Sequence, residues 1–148
     1  MAADIRVHDI SRGSAQDLFE VEWRQFNDEL FGEPFLWLLT GEYHLGASAG
    51  DDELLGAARY TIAEGVGYLR ELIVKASSRS QGIGTRLLAA FEEDCRRRGC
   101  HKLHLDVASL NVRAQDFYQC HGWEQEGLMR RHWRQVDFQT WAKWLDEA

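Results

Sequence analysis

The 148-residue chain has one proline, Pro34, two methionines and three cysteines. With so little proline there is no Pro-rich linker, and no Ser/Gly-rich stretch or internal repeat divides the sequence. One domain is the simplest reading, and a chain of this size buries enough surface to fold without metal or disulfide staples. Cys95, Cys100 and Cys120 are an odd number and do not form a disulfide framework, which suits a reducing compartment. Long apolar runs are absent too. The longest uncharged stretches, Pro34 to Gly41 and Tyr43 to Gly50, are eight residues each, where a membrane-spanning helix needs about 20. No membrane association is expected. Met1-Ala2-Ala3-Asp4-Ile5-Arg6 lacks the apolar stretch of a signal peptide, so the cytoplasm is the expected location.

Positive charge is also in short supply. Seventeen Lys and Arg stand against 24 Asp and Glu, a net charge of −7. Such a chain has no general attraction for phosphate backbones, so nucleic acid is not an expected partner. The same field favours cationic partners such as amines, although solubility alone also accounts for an acidic surface. At 45% hydrophobic residues, the apolar content excludes disorder as the main state.

Hydrophobic periodicity predicts the elements. Ile5 to His8 alternates as a short strand. Ala15 to Phe31 reads as an amphipathic helix through Leu18, Val21, Phe26 and Leu30. Phe35 to Leu39 reads as a second helical piece beyond Pro34. Tyr43 to Ala49, Leu54 to Ile62 and Val66 to Val74 are three strands with turn-like breaks, spaced as antiparallel neighbours. Gly82 to Arg98 is the clearest helix, with Ile83, Leu87, Leu88, Phe91 and Cys95 on one stripe and Gly99 as terminator. Lys102 to Val107 alternates strictly, with His104 and Asp106 on the face opposite Leu103, Leu105 and Val107. Asn111 to Cys120 is a short helix capped by Asn111. Trp123 to Met129 and Val136 to Trp144 are final strands. The order β-α-β-β-β-α-β-α-β-β defines a mixed α/β layer structure.

The segment Arg79-Ser80-Gln81-Gly82-Ile83-Gly84-Thr85 lies between a strong strand and a strong helix. Gly82 and Gly84 let a ligand approach the backbone, and the unpaired amides of a helix start attract anions such as a pyrophosphate. Arg79 and Arg86 add charge. The dinucleotide fingerprint is excluded because Leu87 stands where its third glycine belongs, and no Gly-Lys-Ser/Thr triplet supports a P-loop. On these residues alone, a helix that merely begins at flexible glycines is the competing reading.

A second cluster, Asn111-Val112-Arg113-Ala114-Gln115-Asp116-Phe117-Tyr118-Gln119-Cys120-His121-Gly122-Trp123, follows the alternating strand. With it, the sequence resembles the GCN5-related N-acetyltransferase superfamily. Arg79, Gly82 and Gly84 match that family's Arg/Gln-x-x-Gly-x-Gly/Ala loop. Asn111, Ala114, Phe117, Tyr118 and Gly122 match its Asn-x-x-Ala-x-x-Phe-Tyr-x-x-x-Gly-Phe motif, with Trp123 for the last aromatic. The resemblance spans roughly Leu54 to Leu145.

The resemblance implies an α/β fold with a mixed, mostly antiparallel sheet flanked by helices. The sheet is split between the fourth predicted strand, Val66 to Val74, and the fifth, Lys102 to Val107. It implies acetyl-CoA as cosubstrate and direct transfer to a primary amine, expected to be a small molecule, in a ternary complex. A peptide or protein amine, or a non-catalytic acyl-CoA-binding module, is the alternative. The pantetheine arm would pair with the backbone of Leu72, Ile73 and Val74 as an added strand, and an amide near Leu72 or Ile73 would polarise the thioester. The pyrophosphate would sit on the amides of Gln81, Gly82, Ile83, Gly84 and Thr85, near Arg79. Asn111 would bond the arm or a water, and Ala114 and Phe117 would line the wall. Glu71 is the candidate general base, with a simple ion pair to Arg70 or Arg59 as the competing reading. Tyr118 is the candidate general acid for the leaving thiolate, since phenol and thiol pKa values lie within about two units. Its competing reading is a packed helix tyrosine.

No metal is expected, because the Cys and His residues around Cys95 to His121 do not follow zinc spacings. Trp23 and Trp37 fall in the first helical region, which the resemblance implies covers the acceptor pocket; an aromatic wall with Asp28, Glu29 and Glu33 would suit a cationic amine, and ordinary helix packing with solvated acids is the competing reading. Phe31 to Phe35 is loosely similar to the polyamine acetyltransferase branch. Val136 to Trp144 carries apolar residues on both faces, which suggests a homodimer contact.

Overall fold

The computed structural model describes residues 5–32, 41–50 and 52–145. It divides at residues 38 and 39 into two units, each described by itself.

In the first unit, α1 runs Arg12–Phe31. Ser11 caps it by accepting from the Ser14 N–H at 3.1 Å, and Gly32 ends it in the left-handed region with φ +79°. The expected helix is present, and Leu18, Val21, Phe26 and Leu30 on it are exposed. The predicted strand at Ile5 to His8 is not: residues 5–10 carry no strand. Alternation makes a strand only where a neighbour accepts the ladder, and among the described residues no strand pairs with Ile5 or Val7. The helical piece at Phe35 to Leu39, with Glu33 and Trp37, lies outside the described residues.

In the second unit, six strands form one sheet: β1 (Gly41–Ser48), β2 (Leu54–Ala63), β3 (Val66–Val74), β4 (Lys102–Ala108), β5 (Glu124–Met129) and β6 (Phe138–Trp144). Their order is β1-β2-β3-β4-β6-β5. Every pairing is antiparallel except β3 with β4. Those two are parallel because α2 (Ile83–Arg97) connects them as a crossover. The short α3 (Val112–Cys120) follows β4.

The core lies where α2 meets the sheet. Leu87, Leu88, Phe91 and Cys95 are buried on α2, and Tyr60, Leu69, Leu103, Leu105, Trp123 and Trp141 are buried around them. Each such side chain contributes about 1.5–3 kcal/mol. The predicted stripe of α2 is thus its core face. Buried Asp94 ties the helix to β2: the Tyr60 hydroxyl donates to it at 2.5 Å, and Arg97 and Arg98 close its other bonds at 2.6 and 2.9 Å. β6 lies inside the sheet, so any contact with a second copy there would use its face rather than its edge.

Candidate active site

β3 and β4 are bonded at three positions only, Val66 with Lys102, Gly67 with Leu103 and Tyr68 with His104. Beyond them the strands part. The cause lies in β3. On its other edge Tyr60 pairs with Leu69 and Arg59 pairs with Glu71, so Arg70 is an inserted residue. Such a bulge bends and twists its strand, here away from β4. It also resets the alternation. Leu69 and Leu72 both face the core, three residues apart, while Arg70, Glu71 and Ile73 are exposed.

The opening is a cleft of about 490 Å³ lined by Leu72, Ile73, Val74, Arg79, Gly82, Ile83, Gly84, Thr85, Asn111, Ala114, Phe117 and Tyr118. Twelve of the fourteen residues expected from the sequence to bind the cofactor or catalyse therefore meet in one place. The lining also includes Ser78, Ser80 and Arg113, which sequence reasoning passed over. Ser80 has φ +64°, a turn geometry without a strong signature in serine, whereas Arg113 stood unremarked inside the matched motif. Gln81 sits in the loop between Ser80 and Gly82 and is exposed.

At the wide end, Gly82 caps α2 with φ +78° and no side-chain bond. Arg86 makes the first intrahelical bond, to Gly82 O at 3.1 Å. The amides of Ile83, Gly84 and Thr85 are therefore without intrahelical acceptors, and the helix dipole adds positive potential there. Arg79 is anchored by its Nε to the Val74 carbonyl at 3.2 Å. A Cβ built on Gly84 would lie 3.6 Å from the Phe117 ring, so α2 and α3 meet closely at the cleft wall.

Asn111 caps α3, its Oδ1 accepting from the Ala114 N–H at 3.1 Å. Capping occupies the oxygen, and the side-chain amide remains for the cleft. Tyr118 is buried, in edge contact with Phe117 at 5.2 Å and against Trp123 at 5.7 Å. Burial pushes its phenol up to about 12, so the hydroxyl is protonated at neutral pH and able to donate.

Glu71 is placed elsewhere. It does not line the cleft; its carboxylate accepts from Arg59 Nε at 3.0 Å, and Glu42 takes the same guanidinium at 2.8 Å.

The split sheet, the crossover helix that begins at an uncapped glycine turn, and the aromatic wall of α3 define the acetyltransferase class of fold. The chain belongs to the acetyltransferase (GNAT) family, whose model matches residues 12–123. Thialysine N-epsilon-acetyltransferase of Bos taurus is 38% identical over 55 residues, covering 37% of this chain and 32% of that protein. The chain thus spans about a third of that relative's length. Among solved structures, an acetyltransferase from Bacillus cereus ATCC 14579 superposes with a TM-score of 0.74 at 21% identity, over 95% of this chain and 98% of that one. A structure assigned as a streptothricin acetyltransferase from Bacillus anthracis str. Ames, in complex with acetyl coenzyme A, gives a TM-score of 0.67 at 17% identity, over 78% and 72%.

Proposed function

We propose that the protein transfers an acetyl group from acetyl-CoA to a small primary amine, by direct attack in a ternary complex. The observation that carries this reading is the cleft between β3 and β4, which runs from an unpaired strand edge to the free amides of α2. An extended pantetheine arm fits along Leu72, Ile73 and Val74 as an added strand. The amides of residues 81–85 suit a pyrophosphate, and Arg79 and Arg113 suit the remaining charge. Asn111 offers its amide to the arm, while Ala114 and Phe117 form an apolar wall. Acetyl-CoA bound in the similar Bacillus anthracis structure supports this donor. The thialysine enzyme, named for acetylating a side-chain amine, supports a small amine as acceptor.

Tyr118 protonates the departing thiolate in this reading, a role worth roughly 10²–10⁴-fold, and its position in the cleft lining supports it. Glu71, tied to Arg59 outside the cleft, serves as base only through an intervening water. An anionic protein surface favours approach of a cationic amine.

The test incubates the protein with acetyl-CoA and a panel of polyamines, amino acids, aminoglycosides and short peptides, and follows free thiol. Amine-dependent release, strongest with a small amine, is the expected result. Thermal stabilisation by acetyl-CoA without release on any amine would reduce the reading to a CoA-binding module. Absence of both would overturn the donor site.

A further inference from the structure

α3 ends in a turn, residues 121–123, where three elements meet. Trp123 is buried there. It stands where the matched motif ends in Phe, so its indole N–H is an added buried donor, and such a donor needs an acceptor. Glu92 of α2 supplies one: Trp123 Nε1 donates to Glu92 Oε1 at 2.8 Å. Lys143 of β6 holds the same carboxylate, its Nζ donating to Oε2 at 3.0 Å and to Oε1 at 3.2 Å. That ammonium also donates to the His121 carbonyl at 2.9 Å. The side chains of Glu92 and Lys143 are only 13% and 26% exposed, so salt screens this pair less than it screens a surface ion pair. The turn is thereby tied to α2 and to β6 at once.

The tie has a chemical meaning if Tyr118 is the acid proposed above, on which this inference rests. Among the described residues the Tyr118 hydroxyl has no hydrogen-bond partner, and burial alone raises its phenol. No bond within the protein aims the hydroxyl into the cleft; ring packing does. Two rings touch it, Phe117 at 5.2 Å and Trp123 at 5.7 Å. Phe117 is part of the cleft wall. Trp123 lies behind the wall, beside Phe91 at 6.5 Å, and Glu92 fixes the rotation of its indole. Its backbone N–H also donates to the Tyr118 carbonyl at 3.0 Å. One residue therefore sets both the backbone and the ring of Tyr118. A tilt of the indole is passed to the hydroxyl at the far end of a rigid ring, and a misplacement of about 1 Å can cost a reaction about 10²-fold.

We propose that Glu92 is a positioning residue for the transfer, acting through the Trp123 indole to aim Tyr118, with Lys143 holding the carboxylate in place. The step it serves is the collapse that follows attack by a neutral amine. The C–S bond breaks with its electron pair leaving on sulfur, and the Tyr118 proton moves to that sulfur. The excess proton on the new amide nitrogen restores the phenol, so the products are the amide and the free thiol. Glu92 touches neither substrate nor cofactor in this scheme. Its carboxylate stays ionised between an indole N–H and an ammonium and moves no proton.

The experiment compares amine-dependent thiol release in wild type, Trp123→Phe, Glu92→Leu and Glu92→Gln, each made also in a Tyr118→Phe background. Thermal unfolding with and without acetyl-CoA is measured in parallel. Trp123→Phe keeps a packed ring and leaves the Glu92–Lys143 pair intact, so it is the variant that retains the fold. The expected result is a fall in kcat of about 10-fold or more in Trp123→Phe and Glu92→Leu, within the about 10²-fold that a 1 Å misplacement can cost. The KM for acetyl-CoA and the stabilisation it gives should not change. Glu92→Gln keeps an oxygen acceptor for the indole and should recover most of the rate lost in Glu92→Leu. With Tyr118→Phe present, none of these changes should lower kcat further, because no acid is left to aim. A purely structural staple would lower kcat equally in both backgrounds. Wild-type kcat in Trp123→Phe, or an equal loss in both backgrounds, would overturn the assignment. Wild-type turnover in Tyr118→Phe alone would instead remove the acid. Wild-type protein that acetyl-CoA neither stabilises nor acetylates through would remove the donor site. Either of those results takes the assignment with it and is distinct from the first two.

Discussion

β3 is one strand with two environments. Over Val66–Tyr68 it is bonded on both edges, to β2 and to β4, and Gly67 is so tightly covered that a Cβ there would lie 2.5 Å from Cys95 Sγ. Over residues 69–74 it keeps β2 and loses β4, and Ile73 is 62% exposed. The paired half is closed by the core under α2. The open half leaves backbone donors and acceptors without strand partners, which is costly unless water or a ligand takes them. A single inserted residue, Arg70, separates the two. Stability should therefore depend on the closed half and chemistry on the open one.

The largest effect should come from the open side. Tyr118→Phe keeps the ring that packs on Phe117 and Trp123 and removes only the proton. Turnover should fall by about 10²–10⁴-fold, while acetyl-CoA still raises the melting temperature. Equal turnover would remove Tyr118 as the acid and make it a packing residue. On the closed side, Phe91→Ala should cost about 3–5 kcal/mol in denaturant unfolding, since Phe91 is fully buried against Tyr60 at 4.8 Å and near Trp123. Gly67→Ala should cost about 1–3 kcal/mol, because the new methyl meets both Cys95 and Leu103. A stable Gly67→Ala protein would show that the closed half has slack that its geometry does not suggest.

Tyr118 also predicts a pH dependence of stability. Its phenol titrates near the ordinary value of 10 when unfolded and at about 12 when folded, raised by burial. The neutral form is the one the fold favours, so this contribution is full below pH 10 and is lost as pH rises toward 12. Unfolding followed across that window should show stability falling, with a shallower fall in Tyr118→Phe. Tyr68, raised likewise by burial and then by Asp106, keeps part of the slope in the variant. Identical slopes would mean that the Tyr118 ring is wetter than its packing implies.

Much of this was legible from spacing. The stripe Leu87, Leu88, Phe91, Cys95 and the strict alternation of Leu103 to Val107 locate core faces because helix and strand periods differ. The glycine turn and the Asn111 motif located the cleft through the family resemblance they carry together; on its own residues the glycine turn left a plain helix start open. Ile5 to His8 misled, since four alternating residues carry no information about whether a partner strand exists. Glu71 was uncertain for a related reason. Whether it faces the cleft depends on a bulge, and a bulge is a relation between β2 and β3 that no single strand reveals. His104 and Asp106 were visible as one polar face, but their pairing with Tyr68 is a contact across 36 to 38 residues of sequence.

The finest comparison is between the two glycines of the cleft loop. Gly82 and Gly84 look equivalent in sequence, two residues apart in one motif. Gly82 has φ +78° with no atom near its missing Cβ, whereas Gly84 is helical and its Cβ would rest at ordinary contact distance, 3.6 Å, from Phe117. One glycine is required by backbone conformation and the other only shares a crowded wall. Gly82→Ala should therefore cost about 1 kcal/mol through the left-handed conformation and weaken acetyl-CoA binding, because it tilts the amides of residues 83–85. Gly84→Ala should change stability by less than about 1 kcal/mol, offset by the helix preference of alanine, and leave binding nearly intact. Calorimetric titration with acetyl-CoA beside thermal unfolding separates the two. If Gly84→Ala proved the more damaging for binding alone, the cofactor would have to pass closer to that Cα than the open wall suggests, and the close approach rather than the turn would be what the motif preserves.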